Sequence, residues 1–524
     1  MKACYIIAGA DHWPELAVAL RKRGVEPKMW ISSHFHDDFA REHFKDCTVY
    51  PYLATTRGQT LYQQEIPYSP PAEMLTSPEF MRLKDQVYKT MDRQDDFGVY
   101  RRLEREAVFY SLFSFFYSEL KKNEIEFVFA TEGCHEPAPL TLYGVAGMMG
   151  IERRHFDISM VAPLMVMRAG FNRERIKIGG GCGEHASRFK EILHTYVDGL
   201  VAKSKARGTE EPLYMTKQKI SDSFFLKKLW LNTKGQPLTE KLAFIKRKAA
   251  KLFKPYYTVK KTDFLAEPQR PTPLQAWKYK RNRAALKRKL KNSYLALALD
   301  KQPPLDTPYV YAPLHYEPER TTNPDGCEFY NQIDAIVALR DFVPKDIPIY
   351  IKEHYSQFTA KLHGHRGKSL YFYRLLAQLP NVKLLPMGCN SLELAKNAEF
   401  TASITGTSCL EAAILGKKSV IFGQVWFSGC PNVHHFSEQK SYQNLLKKKH
   451  RTAQDVKAFF NDLVDNYAVH GYVSHTNEPH WKTLFPTEQH AFLDGGVIID
   501  NVVAALEKSG AVPEKARKLR KKAG

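Results

Sequence analysis

The segment from Tyr309 to Gly423 constrains the fold of this 524-residue chain more than any other stretch. Short runs of β-branched and aromatic residues alternate in it with helical patterns, and a polar cluster follows each run. This alternation is typical of a parallel α/β domain, whose ligands bind beyond the carboxyl ends of the strands. The predicted strands lie at about 309–313, 347–351, 382–386, 401–404 and 419–422, and the predicted helices at about 328–342, 369–379, 391–397 and 408–415.

The first third of the chain predicts a second unit of the same class. Residues 3–33 have the pattern of a strand, a helix and another strand, which is typical of the start of a Rossmann-like domain. No Gly-x-Gly-x-x-Gly follows the first strand, so a dinucleotide site is not supported. A helix over 101–122, a strand over 125–131 and helices over about 139–150 and 185–205 continue the pattern.

Charge helps to divide the chain into parts. Lys and Arg total 77 against 56 Asp and Glu, which gives a formal net charge of +21, and the basic residues dominate 203–300. The predicted parts are a domain over 1–202, a basic helical linker or insertion over 203–307, a domain over 308–508 with a helical end, and a basic tail over 509–524. Such an excess of positive charge favours anionic partners, namely nucleic acid, an anionic membrane surface or an acidic sugar polymer.

Two basic runs stand out inside the insertion, Lys241–Lys254 and Lys278–Lys291. The second run has the pattern of a basic helix, which could lie on an anionic membrane surface. A solvated helical linker between two domains is the alternative interpretation. A third basic run, Lys515 to Lys522, forms the predicted tail.

Several classes of protein are excluded or disfavoured. The eight cysteines are scattered and form no Cys-x-x-Cys pair, which excludes a zinc ribbon and a thioredoxin motif. No run approaches the roughly 20 apolar residues that cross a bilayer, and the first residues lack the pattern of a signal peptide. We therefore expect a cytoplasmic protein that can sit peripherally at the membrane.

The His34-x-His36-Asp37 run could begin a metal site, because two imidazoles one residue apart can face one metal ion. The last His of such a motif is replaced by Phe39, and no later segment supplies an obvious ligand set. A polar loop at the edge of a cleft is the favoured interpretation, and we expect neither a metal nor a cofactor.

The run from Ser403 to Glu411 suggests an anion site. A strand ends there and a helix begins, so free backbone N–H groups and the positive end of the helix dipole face a ligand. Gly406 permits a tight turn, while Thr407 and Ser408 can cap the helix and donate to a phosphate. Glu411, expected in the first helical turn, could accept hydrogen bonds from ribose hydroxyls. The alternative is a simple capping box formed by Ser408 and Glu411.

Two further clusters follow predicted strands. Lys352 and His354 come directly after a strand, where cationic side chains could neutralise a leaving phosphate. The chain contains no Asp-x-Asp, so a transferase of this kind would stabilise that phosphate with protein charges and dipoles. His135 and Glu136 lie at a strand-to-helix turn, where they form either a general base with its carboxylate partner or a helix cap beside a cleft-facing His.

The order of three motifs resembles the capsule-polysaccharide biosynthesis proteins, the family that contains the bacterial Kdo transferases of capsule synthesis. The motifs are Pro313 to Glu319, Lys352 to Tyr355 and Thr405 to Lys417. The specific resemblance covers about 309–436, with looser support from 1–160. One position departs from the family pattern: where the family has His-Pro, this sequence has His354-Tyr355.

The resemblance implies a GT-B architecture, in which two Rossmann-like domains enclose the site in a cleft. It also implies a nucleotide-activated sugar donor, often CMP-Kdo, bound mainly by the second domain. The expected partners are this donor and a surface polysaccharide or glycolipid acceptor, with an anionic membrane beside the basic segment; nucleic acid is not expected. The basic insertion at 203–300 has no counterpart that we can place in the family.

The sequence therefore predicts a metal-independent GT-B glycosyltransferase. The candidate bases for the acceptor hydroxyl are His135, Glu136, Glu317 and Glu319. The candidate nucleotide-binding residues are His315, Lys352, His354, Thr405, Gly406, Thr407 and Ser408 for the phosphate and Glu411 for the ribose. Two alternatives remain: a polyol-phosphate transferase of the teichoic-acid type, and a non-enzymatic basic scaffold that binds an anionic polymer.

Overall fold

The computed structural model of the chain contains two sheets flanked by helices, as the sequence predicts. It describes residues 1–32, 36–51, 65–93, 101–171, 174–205, 273–359, 362–475 and 477–514. The predictions for His34, for the run Lys241–Lys254 and for the tail Lys515 to Lys522 lie outside these residues. The α/β class with two Rossmann-like domains is confirmed by the two sheets.

The first sheet has seven strands in the order β13-β6-β5-β4-β1-β2-β3, numbered along the chain. The strands are β1 Lys2–Ile7, β2 Glu26–Ser32, β3 Thr48–Pro51, β4 Phe127–Ala130, β5 Glu152–Ile158, β6 Leu164–Arg168 and β13 Ala468–His470. Neighbours from β3 to β5 are parallel, whereas β6 is antiparallel to β5 and β13 is antiparallel to β6. All four residues of β4 are buried, which fits a central parallel strand covered by helices on both faces.

Separate apolar cores lie on the two faces of this sheet. The helices of this part are α1 Trp13–Arg21, α2 Asp37–His43, α3 Ala72–Leu75, α4 Pro78–Met91, α5 Arg102–Lys122, α6 Pro137–Met148 and α7 Ala186–Lys205. Predicted helices 101–122 and 185–205 thus agree with α5 and α7 to within a residue. Among the described residues, no helix has both the length and the apolar character that crossing a bilayer requires.

The second sheet has six parallel strands in the order β12-β11-β10-β7-β8-β9. They are β7 Val310–Pro313, β8 Ile349–Lys352, β9 Val382–Leu384, β10 Phe400–Ser403, β11 Lys418–Ile421 and β12 Val433–His435. The helices are α8 Pro273–Leu295, α9 Gln332–Phe342, α10 Phe372–Gln378, α11 Ser391–Asn397, α12 Thr407–Ile414, α13 Tyr442–Lys447 and α14 Ala453–Asn466. Helix α9 begins four residues later than predicted, because the Asn331 side chain caps it by accepting from the Ile333 N–H.

Helix α8 contains the predicted basic run 278–291 and packs on the second domain. Leu290 and Tyr294 are buried in the core of the second sheet. The Lys287 ammonium donates to the Thr359 carbonyl at 2.5 Å, and the Ser293 hydroxyl donates to the Leu370 carbonyl at 2.9 Å. The carboxyl-terminal half of α8 is therefore part of the second domain and is not a solvated linker.

The last part of the chain returns to the first sheet. Strand β13 pairs with β6, and the later helices α15 Glu478–Leu484, α16 Gln489–Phe492 and α17 Gly495–Lys508 follow it. Helix α17 packs beside α1, and the Trp13 indole donates to the Val473 carbonyl at 2.9 Å. The predicted boundary at 508 places these residues in the second domain, whereas strand pairing and packing assign 468–512 to the first.

A shared apolar core joins the two units. Helix α7 of the first half packs against α12 and α14 of the second. Phe189 and Leu193 of α7 lie in one core cluster with Leu410 and Phe460, and all four side chains are buried. The two sheets are thus held together by apolar packing as well as by the chain connections.

We predict that Leu506→Ala destabilises the first domain by about 2–5 kcal/mol, the usual cost of truncating a fully buried Leu. Leu506 is fully buried in the core of the first sheet, although it lies near the end of the described chain. Urea unfolding followed by tryptophan fluorescence measures the change, since Trp13 lies in the same core. The exposed Asp500 of the same helix supplies the control, Asp500→Ala, and equal stabilities of the two variants would contradict the assignment.

Candidate functional site

Polar side chains meet at the carboxyl edge of the second sheet, as predicted. His315 follows β7, and its Nε2 lies 2.9 Å from the Ser403 hydroxyl at the end of β10. The Thr405 N–H also donates to this nitrogen at 3.3 Å. The Thr405 hydroxyl donates to the Thr321 carbonyl, which fixes the loop after β7 against the loop after β10. His315 and Thr405 therefore lie in one site.

Both histidines of this edge are uncharged at neutral pH in the unliganded protein. Burial, together with nearby His354, Lys368 and Lys89, lowers the pKa of His315 to about 3. Burial, together with Lys368 and Lys352, lowers the pKa of His354 to about 4. The expectation of a cationic His354 is therefore not met. Its Nδ1 accepts from the Ser356 N–H at 3.2 Å, so its Nε2 carries the proton and can donate to an anion.

Lys352 holds the first turn of a neighbouring helix. Its ammonium donates to the Cys389 carbonyl at 2.6 Å and to the Ser391 hydroxyl at 2.8 Å, where α11 begins. These contacts place a positive charge between β8 and α11, beside the same edge of the sheet.

Helix α12 begins without a side-chain cap. Its N-cap residue is Gly406, and no side-chain cap hydrogen bond is formed there. A Cβ atom at Gly406 would lie 2.5 Å from the Ser403 hydroxyl oxygen, so a larger residue here would displace the Ser403 side chain. The alternative interpretation, a capping box of Ser408 and Glu411, is thus not observed, which leaves the N–H groups and hydroxyls of Thr407 and Ser408 at the end of the sheet.

Glu411 lies in the second turn of α12 rather than in the first. It is four residues after Thr407 and three after Ser408, so the three side chains share a helix face. Burial raises the pKa of Glu411 to about 7. Within the described part of the chain, no cation or hydrogen-bond donor is bonded to its carboxyl group. A carboxyl group that is partly buried and has no partner lowers stability, so its position calls for a ligand or another function.

A buried ion pair holds the backbone of both histidines in place. The side chains of Lys368 and Glu353 are fully buried, and the Lys368 ammonium lies 2.8 Å from both Glu353 oxygens. Lys368 also donates to the His315 carbonyl at 2.9 Å, while Glu353 accepts from the His354 N–H at 2.6 Å. Lys368 was not predicted as a site residue, because no local pattern distinguishes a buried Lys in the loop before α10.

The first domain contributes His135 and Glu136, which follow β4. The His135 Nδ1 lies 2.9 Å from the Gly133 carbonyl, so this nitrogen carries the proton and Nε2 has a free lone pair. Burial lowers the pKa of His135, which favours the neutral form that a general base requires. Glu136 occupies the N-cap position of α6, but its side chain makes no capping hydrogen bond.

The two carboxylates of the loop after β7 have different surroundings. Glu317 is buried and accepts from the Lys89 ammonium of α4 at 3.0 Å, so it joins the two domains. Glu319 is exposed, and the Thr321 hydroxyl donates to it at 3.3 Å. Of these two candidates, only Glu319 is accessible to a substrate hydroxyl.

Arg320 joins the loop after β7 to the turn that carries His135. Its guanidinium lies 3.1 Å from Glu132, just after β4, and 3.4 Å from Asp325. The approach is close, since a Cβ atom at Gly133 would lie 3.2 Å from the Asp325 carboxyl oxygen. Burial raises the pKa of Asp325 to about 7, although Arg320 opposes that shift. The sequence places these partners 188 and 5 residues from Arg320, and no motif pairs them.

Comparisons with known proteins add the following findings. No protein family and no curated protein matches the sequence. The KpsC β-Kdo 2,4 transferase of Thermosulfurimonas dismutans is similar in structure, with 13% identity over 64% of this chain and 78% of that chain and a TM-score of 0.25. The UDP-GlcNAc 2-epimerase of Methanocaldococcus jannaschii has 13% identity over 88% of this chain and 99% of that chain, with a TM-score of 0.22.

Another KpsC structure from Thermosulfurimonas dismutans, a β-Kdo 2,7 transferase, has 9% identity over 72% of this chain and 96% of that chain, with a TM-score of 0.23.

We predict that Glu411→Gln flattens the dependence of stability on pH. The folded pKa of about 7 exceeds the usual value of about 4.3 for a free Glu, so the folded state binds this proton more tightly. The resulting stability is complete below about pH 4 and is lost as the pH rises through 7. At pH 8 the variant should therefore exceed the natural protein in stability by on the order of 1–3 kcal/mol, and the two should be equal at pH 4.

Urea unfolding at pH 5, 6, 7 and 8 measures this difference. Asp325 contributes the same slope to both proteins, so the difference between the curves reports Glu411 alone. Glu393→Gln, which neutralises an exposed carboxylate on the neighbouring α11, is the control and should leave the pH profile unchanged. Parallel curves for the natural protein and Glu411→Gln would show that burial does not perturb this carboxyl.

Proposed function

We propose that this protein is a metal-independent glycosyltransferase that moves a sugar from a nucleotide-activated donor to a polysaccharide or glycolipid acceptor. One observation carries the proposal: the unpartnered carboxyl of Glu411 shares a helix face with the uncapped amino terminus of α12. A phosphate fits the helix terminus, and the ribose hydroxyls of the same nucleotide fit the carboxylate one turn away.

The leaving phosphate would be stabilised by several hydrogen-bond donors and by one ammonium group. The first-turn N–H groups of α12, the Thr407 and Ser408 hydroxyls, the Lys352 ammonium and the His354 Nε2–H all belong to one edge of the sheet. Such donors are in place before the reaction, so they need little reorganisation when negative charge develops. An arriving phosphate would also raise the pKa of His354, because a nearby negative charge favours the imidazolium form.

The base would be either His135 of the first domain or Glu319 of the loop after β7. His135 has a neutral imidazole with a free Nε2 lone pair, and Glu319 has an accessible carboxylate. In the proposed step the acceptor oxygen bonds to the anomeric carbon while the bond from that carbon to the phosphate oxygen breaks. The acceptor proton passes to the base, and the nucleotide phosphate leaves with the bonding electrons.

The sequence motifs support one class of donor, and the composition of helix α8 supports a position at the membrane. The resemblance of Pro313 to Glu319 and of Thr405 to Lys417 to the Kdo transferases of capsule synthesis supports CMP-Kdo as the donor. Helix α8 has eight Lys or Arg and no Asp or Glu, with Trp277 and Leu274 exposed. This combination supports contact with an anionic membrane that carries a glycolipid acceptor.

Equilibrium titration tests the donor site. We expect CMP, CDP or UDP to bind with the same affinity in the presence and absence of EDTA, because protein groups alone hold the phosphate. Preference for CMP supports the Kdo-type donor, whereas preference for CDP supports the polyol-phosphate alternative. Gly406→Ala, which forces a Cβ atom against Ser403, should weaken nucleotide binding in the same assay. Loss of binding on chelation would refute metal independence.

Two substitutions separate donor binding from turnover. Glu411→Gln should weaken donor binding by on the order of 1–3 kcal/mol, the value of a hydrogen bond to a charged group. His354→Ala should lower kcat more than donor affinity, because its contact strengthens as charge develops on the phosphate. Initial rates with a donor series measure both effects, and circular dichroism checks the fold. Full activity of Glu411→Gln with unchanged affinity would leave Glu411 without a role in the donor site.

A further inference from the structure

A second group of basic residues lies at the opposite edge of the second sheet. Lys418 is the first residue of β11, so it sits at the amino end of the strand and away from the candidate site. The segment 447–451, Lys-Lys-Lys-His-Arg, lies between α13 and α14 and packs near this strand. Neither the sequence motifs nor the proposed function uses these residues.

Lys418 is bonded to the imidazole of His450 instead of a carboxylate. Its ammonium lies 2.9 Å from Nε2 of His450, and Nδ1 of the same ring lies 2.9 Å from the Gly416 carbonyl. A carbonyl only accepts, so Nδ1 carries the proton and Nε2 accepts from Lys418. Lys418 is also 2% exposed, which places this positive charge inside the protein.

Lys448 repeats the same arrangement. Its ammonium lies 3.4 Å from Nδ1 of His434, and burial with nearby Lys448 and Lys418 lowers the pKa of His434 to about 4. Within the described ranges, no carboxylate lies within 4.0 Å of Lys418, Lys448 or Lys449 in an ion pair, and the same holds for Arg451. This cluster of cations therefore forms no ion pair with a carboxylate of the described residues.

Two carboxylates lie near this group, and both have other surroundings. Asp455 accepts from the Thr452 N–H at 2.7 Å and from its hydroxyl at 2.9 Å, which caps α14. Burial lowers the pKa of Lys418 and nearby Glu399 opposes that shift, but Glu399 makes no ion pair with Lys417 or Lys418 in the described residues. The local balance stays positive.

A cavity of about 530 Å³ lies against these cations. Its polar lining consists of Asn432, His434, Lys448, Lys449, Arg451 and the helix-capping Asp455. Asn432 fixes the backbone that carries the cations: its side chain donates to the Arg451 carbonyl at 2.9 Å and accepts from the Arg451 N–H at 2.9 Å. Asn432 is 3% exposed, so this clamp is part of the fold.

We propose that this cavity is a second anion site, which binds a phosphate group through Lys448, Lys449 and Arg451. Arg and Lys form short, charge-assisted hydrogen bonds with phosphate oxygens, and a phosphate would supply the acidic partner that the protein lacks. The ligand is a free phosphate compound or the phosphate of a lipid headgroup.

Isothermal titration with inorganic pyrophosphate tests the site in the full-length protein. The double variant Lys448→Gln/Arg451→Gln should bind pyrophosphate at this site at least tenfold more weakly than the natural protein. Gly406→Ala, which alters the separate nucleotide site, should retain this binding. Lys345→Gln, which removes an exposed lysine elsewhere in the second domain, is the matched control and should bind normally. Thermal unfolding in phosphate-free buffer verifies that every variant is folded.

Vesicles distinguish the two sources of phosphate. Pelleting with phosphatidylcholine vesicles is compared with pelleting after addition of phosphatidylglycerol, for the natural protein and the double variant. Loss of phosphatidylglycerol-dependent pelleting in the double variant identifies a lipid headgroup, whereas a loss confined to pyrophosphate binding identifies a free phosphate compound. Equal binding of both probes by the natural protein and the double variant overturns the proposal. An equal reduction in Lys345→Gln overturns it as well, since binding would then be diffuse. Either failure leaves the nucleotide titration at α12 unaffected.

Discussion

The geometry of the cleft depends on two ion pairs of Arg320, whose guanidinium lies between Glu132 and Asp325. Removing one partner of a buried pair leaves an uncompensated charge, which typically costs about 3–5 kcal/mol. The same loop carries Glu317, bonded to Lys89, and begins with His315 at the edge of the second sheet. Movement of this loop would therefore shift the donor side and the acceptor side of the cleft together.

The candidate site is built to receive charge, and in the unliganded protein little of its own charge is exposed. His315 and His354 are neutral, and Glu353 balances the charge of Lys368. The Glu411 carboxyl, with a pKa of about 7, is half protonated near neutral pH. A nucleotide would change this balance by bringing its own negative charge and hydroxyl donors. The partly buried carboxyl of Glu411 lowers the stability of the fold, and such perturbed ionisable groups are common in functional sites.

The sequence predicted the elements better than the contacts between them. Five of the six strands of the second sheet were located to within two residues, because buried parallel strands leave short apolar runs between helical patterns, whereas the three-residue β12 was not predicted. Glu411 lies in the second turn instead of the first, because the helix begins at Thr407, one residue earlier than predicted. Lys368 and the partners of Arg320 could not be predicted, because tertiary folding alone brings them together. Strand β13 is three residues long, which is too short to show a periodic pattern.

The return of residues 468–512 to the first sheet has a consequence for how the chain folds during synthesis. A ribosome releases the amino-terminal part first, and domains usually fold as they emerge. Here the first core contains Trp13 and Leu16 together with Val502 and Leu506, which are translated almost five hundred residues later. The amino-terminal domain must therefore wait, with part of its apolar surface uncovered, until the second domain has been made. Nascent chains of this protein should thus depend on chaperones for longer than those of a protein whose domains are continuous in sequence.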